Sequence, residues 1–217
     1  MVVVMAPVKS STRAKPTRRE RAQATRRRIT KAAYSLFCER GYLGTTMADV
    51  GEAAGVAVQT VYFIFHTKGA LLSSAYDFAV LGEDQPLPPQ QQPWWTAMTA
   101  EPDVTVALRH FVEGVGAILR RATPLDTVVR VGAQSDPDTA RVRRLHEGWR
   151  AVGYRESLEV LRAKSELRAG VSPDRATHLL LLYVGTDVYR VLVLDLGWTH
   201  EAWVDWTVAS LAEQVFA

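Results

Sequence analysis

The chain of 217 residues has a single cysteine, Cys38. No disulfide can therefore form within it, and a cysteine-built metal site is excluded. Cys38 follows Phe37 in an apolar helical stretch and reads as a small packed thiol. The five histidines are scattered, without HExxH or related spacing, so no metal and no other cofactor is expected. No Gly-rich loop is spaced to cradle phosphate, no Ser-His-Asp set can be nominated, and the acids pair with no identifiable base. These absences argue against an enzyme. The longest strongly apolar run, Leu179 to Gly185, is far short of a membrane span. The opening MVVVMAPV is too short, and lacks the basic start, for a signal peptide. No stretch alternates as a strand does, and there is no internal repeat. An all-α, cytoplasmic chain with no membrane partner is the expectation.

What is present is uneven. Residues 1–68 carry twelve Lys and Arg against four acids, while residues 69–217 carry fourteen against nineteen. A basic first third on an acidic remainder implies a polyanion partner for the N-terminal end alone. Residues 1–16 have no apolar period and read as a disordered basic arm. Thr17 followed by Glu20 is a capping box that opens the first helix. Its early turns would present Arg18, Arg19, Arg21, Arg26, Arg27 and Arg28.

Ile29, Ala32, Ala33, Leu36 and Phe37 then fall on one helical face, and Gly41 ends the helix. Thr46 with Asp49 forms a second capping box, opening a short helix whose inner face is Met47, Val50 and Ala54. Gly55 turns the chain, and a third helix runs from about Val58 to Phe65. Two short helices joined by a Gly-containing turn, packed on a longer one, make a helix-turn-helix. With Val61 and Phe65 inward, Val58, Gln59, Thr60, Tyr62 and Phe63 are left for the groove, although Tyr62 and Phe63 could be partly core. Gln59 can pair bidentately with adenine. Thr46 and Lys68 stand at helix starts suited to phosphate.

These residues resemble the DNA-binding domain of the TetR family of one-component transcriptional regulators. The likeness rests on Leu36-Phe37, Gly41-Tyr42, Thr45-Thr46, Ala54-Gly55-Val56, Thr60-Val61-Tyr62, Phe65 and Lys68. It implies that Thr46, Val58, Gln59, Thr60, Tyr62, Phe63 and Lys68 contact a double-stranded DNA operator. It also implies that a C-terminal helical domain binds a small-molecule effector and dimerises. The sequence departs from the pattern at Ala57, where a capping Ser is common, and at Ile64, where a His is frequent.

Domains are expected at 17–68 for DNA binding and 69–217 for the effector and the dimer. A fourth helix should run from about Ala70 to Leu81. Residues 82–102, rich in Pro and Gln, read as a loop or extended connection containing a PxxP from Pro86 to Pro89. A stripe from Val104 to Ile118 gives a helix, and a short one follows Thr123-Pro124. Asp136-Pro137 opens a long helix reaching Leu167, Ser172-Pro173 one reaching about Asp195, and Thr199 the last, His200 to Phe216. The helix before Asp195 is apolar almost all round. With the last helix it would form a two-fold dimer interface, through Val191, Val204, Val208, Leu211 and Val215. Phe111, Trp149, Tyr154, Tyr183 and the Trp94-Trp95 pair line either an aromatic cavity or the core. Asp187 and Arg190, three apart, read as a helix-surface pair, an interface pair or a pocket anchor, with structure or interface favoured. The function that follows is a homodimeric regulator, a repressor released from a palindromic operator by its effector. The alternative is a DNA-binding regulator without an effector.

Overall fold

The computed structural model describes residues 17–82 and 87–217, so the expected arm at 1–16 and the start of the PxxP lie outside the described residues. Four helices make the N-terminal head: α1 (Arg18–Arg40), α2 (Met47–Ala53), α3 (Val58–Phe65) and α4 (Lys68–Leu81). Both capping boxes form: Thr17 and Glu20 exchange bonds at the start of α1, and Thr46 and Asp49 at the start of α2. Gly41 closes α1 at φ +74°, a conformation that L side chains rarely adopt. Thr67, unremarked in the sequence, caps α4 by accepting from the Ala70 N–H, which moves that helix's start forward to Lys68.

The remainder is α5 (Pro93–Ala100), α6 (Val104–Gly132), α7 (Pro137–Arg162), α8 (Pro173–Tyr183), α9 (Thr186–Tyr189), a π-helical turn (Arg190–Asp195) and α10 (His200–Val215). No strand occurs among the described residues; the one β-bridge joins Leu167 to Phe216. The protein is all-α. Two apolar cores result. One holds the head together and takes in Leu125, Val129 and Val142 from α6 and α7; the other fills the C-terminal helices around Phe111, Leu158, Leu180 and Trp203.

Four expectations about the C-terminal helices are corrected. First, residues 93–100 are a helix rather than a loop. Pro93 occupies its first turn, where the missing N–H costs nothing, and Met98 is fully buried. Second, no separate helix begins at Thr123-Pro124, because α6 runs through Pro124. The turn is fastened by fully buried Leu125 and by the Tyr34 hydroxyl, which donates to the Arg121 carbonyl at 2.8 Å. Third, α7 ends at Arg162, short of Leu167. The backbone of Glu166 and Arg168 bonds instead to Ala217 and Val215 at the chain end.

Fourth, the helix expected from Ser172 to Asp195 is broken at Val184-Gly185. A Cβ at Gly185 would lie 2.6 Å from the Leu181 carbonyl oxygen. The Val184 carbonyl released by the break accepts from the buried Tyr154 hydroxyl at 2.6 Å. Taken as one stretch, Pro173–Asp195 does reach the length and mean hydropathy (1.3) of a membrane span. Its break, its charged Asp187 and Arg190, and Leu180, Val184 and Tyr189 in the core mark it as a helix of the folded domain.

The expected dimer residues separate in the structure. Val204, Val208, Leu211 and Val215 are buried in the protomer's own core, because α10 packs that stripe onto α6 and α8. Val191 remains at the surface, as do Leu182, Leu194, Leu196, Trp198 and Trp206. Asp187 and Arg190 do not pair with each other: Arg130 holds Asp187, and Asp195 holds Arg190.

Two glycines test this packing with opposite signs. A Cβ on Gly114 in α6 would lie 2.2 Å from the Trp94 indole, whereas one on Gly148 in α7 meets nothing within 4 Å. Gly114→Ala should lower the unfolding free energy by about 1–3 kcal/mol through overpacking. Gly148→Ala should raise it by about 0.5–1 kcal/mol through helix propensity. Urea denaturation of both variants measures this. A stabilising Gly114→Ala would contradict the Trp94–α6 contact.

Candidate functional site

The turn between α2 and α3 is built from small residues. Gly55 takes φ +64°. A Cβ on Gly51 would come within 3.1 Å of the Val56 carbonyl oxygen, so the turn folds closely over α2. Buried Thr45 donates to the carbonyls of Leu36 and Gly41, tying the loop to the end of α1. Val61 and Phe65 plug α3 into the core. The opposite face is bare. Gln59 is exposed, Val58 and Thr60 are half-buried, Tyr62 is exposed and Phe63 is 81% exposed. Neither Tyr62 nor Phe63 is therefore core.

The flanking residues are positioned in different ways. Lys68 places its ammonium 4.2 Å from the centre of the Tyr42 ring, a cation–π contact that aims it. Partial burial pulls its pKa down, while Asp136 and Asp49 oppose that shift. Thr46 is exposed, but its hydroxyl already donates to Asp49 at 2.7 Å and accepts from the Asp49 N–H. What it offers an incoming phosphate is a helix start rather than a free hydroxyl. Arg26 lies over the Phe65 ring at 4.5 Å and donates to the Ile64 carbonyl, so one member of the arginine run braces the end of α3. Ala57 leaves α3 without a side-chain cap.

A second feature lies in the C-terminal helices: a cavity of about 600 Å³ between α4, α5, α6 and α7. Its apolar wall is aromatic. The Trp94 ring is 6.2 Å from Phe111 and 5.8 Å from Trp95, and Phe111 meets Tyr154 edge-on at 5.3 Å. Phe111, Trp149 and Tyr154 all line it, with Trp149 half exposed at the rim. Tyr183 does not; it packs on Trp206 at the outer surface and accepts a hydrogen bond from Gln214. No sequence signal pointed to the polar side of the cavity, which includes Tyr76, Asp126, His146 and Arg150. Asp126 accepts from the hydroxyls of Tyr76 on α4 and Thr186 on α9.

The model of bacterial regulatory proteins of the tetR family matches residues 29–75, from mid-α1 to α4. The HTH-type transcriptional regulator TtgR of Pseudomonas putida is 41% identical over 59 residues. Residues 29–75 are thus similar to the DNA-binding domain of tetR-family regulators. The stretch matched to TtgR is 27% of this chain and 28% of the length of TtgR, so the sequence likeness is confined to about a quarter of either protein. Solved structures extend the fold likeness over most of the chain. NalD of Pseudomonas aeruginosa, the secondary repressor of the MexAB-OprM multidrug efflux pump, superposes with TM-score 0.68 at 21% identity, over 90% of this chain and 98% of that one. FadR of Bacillus subtilis, solved with stearoyl-CoA, gives 0.66 at 16% identity, over 85% and 96%. The fold shared with these structures is a helix-turn-helix head followed by a larger helical domain.

The uncapped start of α3 makes a direct prediction. Ala57 already has the extended backbone of an N-cap, φ −64° and ψ 144°. Ala57→Ser should supply the missing acceptor and stabilise the protein by about 1 kcal/mol. An unchanged or lower denaturation midpoint would contradict the described helix start.

Proposed function

We propose that this chain is a homodimeric transcriptional repressor of the TetR family, acting in the cytoplasm. It binds a palindromic operator through α3 and is released when a small molecule fills the cavity. The observation that carries this is the bare face of α3: Gln59, Tyr62 and Phe63 stand in solvent on a helix whose other face is locked into the head. Exposed large aromatics on so short a helix have no packing role, and a groove floor is the surface they suit. Gln59 would read adenine, the apolar atoms of Val58, Thr60, Tyr62 and Phe63 would meet thymine methyls and sugars, and Lys68 and the α2 start at Thr46 would hold phosphate.

A palindromic site needs two heads about 34 Å apart. The exposed apolar residues Leu182, Val191, Leu194, Leu196, Trp198 and Trp206 give a second copy a surface to cover. Release then follows if the ligand fits one head spacing better than the other. The cavity supports an effector over a ligand-free regulator, since its aromatic walls leave open volume instead of packing it shut.

Two experiments test this reading. In binding titrations against a selected operator, Gln59→Ala should relax base preference by about 1–3 kcal/mol at one position of each half-site. Lys68→Ala should weaken all sequences alike and reduce the slope of log K against log salt by about 1. Wild-type behaviour in both variants would refute the assignment. Leu194→Glu combined with Leu182→Glu should yield monomers in light scattering; an intact dimer would move the interface elsewhere.

A further inference from the structure

The charges around the cavity are not evenly paired. Arg130 is held by Asp187, and Arg143 donates to Glu147 at 2.8 Å. Asp126 is occupied by two hydroxyls, at 2.8 and 2.9 Å. What remains is Asp77 on α4 and, on one face of α7 a single turn apart, Arg150 and His146. Arg150 makes no hydrogen bond or ion pair among the described residues, and its Nε is buried without a partner. His146 has a side chain only 7% exposed, and its Nε2 is likewise buried and unpartnered. Asp77 is 3.8 Å from that nitrogen, beyond hydrogen-bond reach, and the charge of Asp126 also acts on the ring.

Arginine keeps its proton in any protein environment, so a buried guanidinium N–H without an acceptor is a standing cost that a bound acceptor removes. Burial lowers the His146 pKa to about 4, leaving a neutral ring at physiological pH that can donate one N–H. Burial raises the pKa of Asp77, opposed by the charge of Arg26. The aromatic wall of Trp94, Phe111 and Tyr154 begins one turn further along α7.

We propose that the cavity selects a planar aromatic molecule bearing an anionic oxygen, a carboxylate or phenolate. The ring lies among Trp94, Phe111 and Tyr154, and the oxygens accept from Arg150 Nε and His146 Nε2. This rests on the cavity being the effector site, and it specifies what that site recognises. Arg150 is the residue that sets the preference for charge. His146, held by stacking on Tyr76 at 4.1 Å, fixes the second donor.

The test uses three naphthalenes that share a ring and differ in head group: 2-naphthoate, 2-naphthylmethanol and 2-naphthylmethylammonium. Each is titrated calorimetrically into the full chain at pH 7. The acid should bind at least about tenfold tighter than the alcohol, and the ammonium weakest. Arg150→Gln should erase the acid's advantage while leaving the alcohol's affinity within about twofold. Arg150→Lys, which keeps the charge without the planar fork, should restore only part of it. Preference for the ammonium would overturn the proposal in favour of cation recognition by Asp77. Equal binding of all three would overturn it while leaving an unselective effector site. Binding of none would remove the effector site itself. Should Arg150→Gln fail to fold, the order of the three ligands on the wild-type chain decides alone.

Discussion

The structure depends on α4 being buried on two sides at once. Leu71, Leu72 and Ala75 belong to the core of the head, and Ala79 packs on Ile118 and Ala122 of α6. Polar bonds fix the same junction. Tyr76 donates to Asp126, Arg121 donates to the Ala79 carbonyl at the end of α4, and Tyr34 of α1 donates to the Arg121 carbonyl. Each of these groups is at least partly buried, so sliding α4 along α6 would leave donors or acceptors unpaired. The head is therefore coupled to the helical domain through discrete contacts with preferred positions.

In the proposed effector reading, a ligand in the cavity would use that coupling. Tyr76, Asp77, Val80 and Leu81 of α4 line the cavity, so an occupant on that side would touch the helix that carries the head. A ligand that fits both positions of α4 equally would move nothing, however tightly it bound. One that pulls Arg150 and His146 toward itself also acts on Tyr76, which stacks on His146 and shares Asp126 with Thr186. In that reading, ligand recognition and head position would meet at the same few side chains.

Much of the head was legible because its signals are local. Thr17 with Glu20, Thr46 with Asp49, and the glycines at 41 and 55 act within a few residues of themselves, and all four appear as expected. The C-terminal helices were harder because tertiary contacts decide them. Pro-rich sequence before Trp94 reads as loop until the indole is seen lying on Gly114. Pro124 reads as a helix start until Leu125 and Tyr34 hold the turn on both sides. Val204, Val208, Leu211 and Val215 form an apolar stripe that sequence cannot assign to the same chain or to a partner, and the same chain takes it. The unpaired state of Arg150 was invisible for a related reason: lacking a partner is a property of packing.

The central claim is that the bare face of α3 reads a defined DNA sequence. Its most direct test is selection of fragments of the host genome by the purified full-length chain at fixed, near-physiological salt, followed by sequencing. One or a few inverted repeats, with half-sites spaced about one helical turn apart, are expected. Recovery of fragments without a shared motif, lost as salt rises, would mean that only phosphate charge is sensed, and would contradict sequence-specific reading by α3.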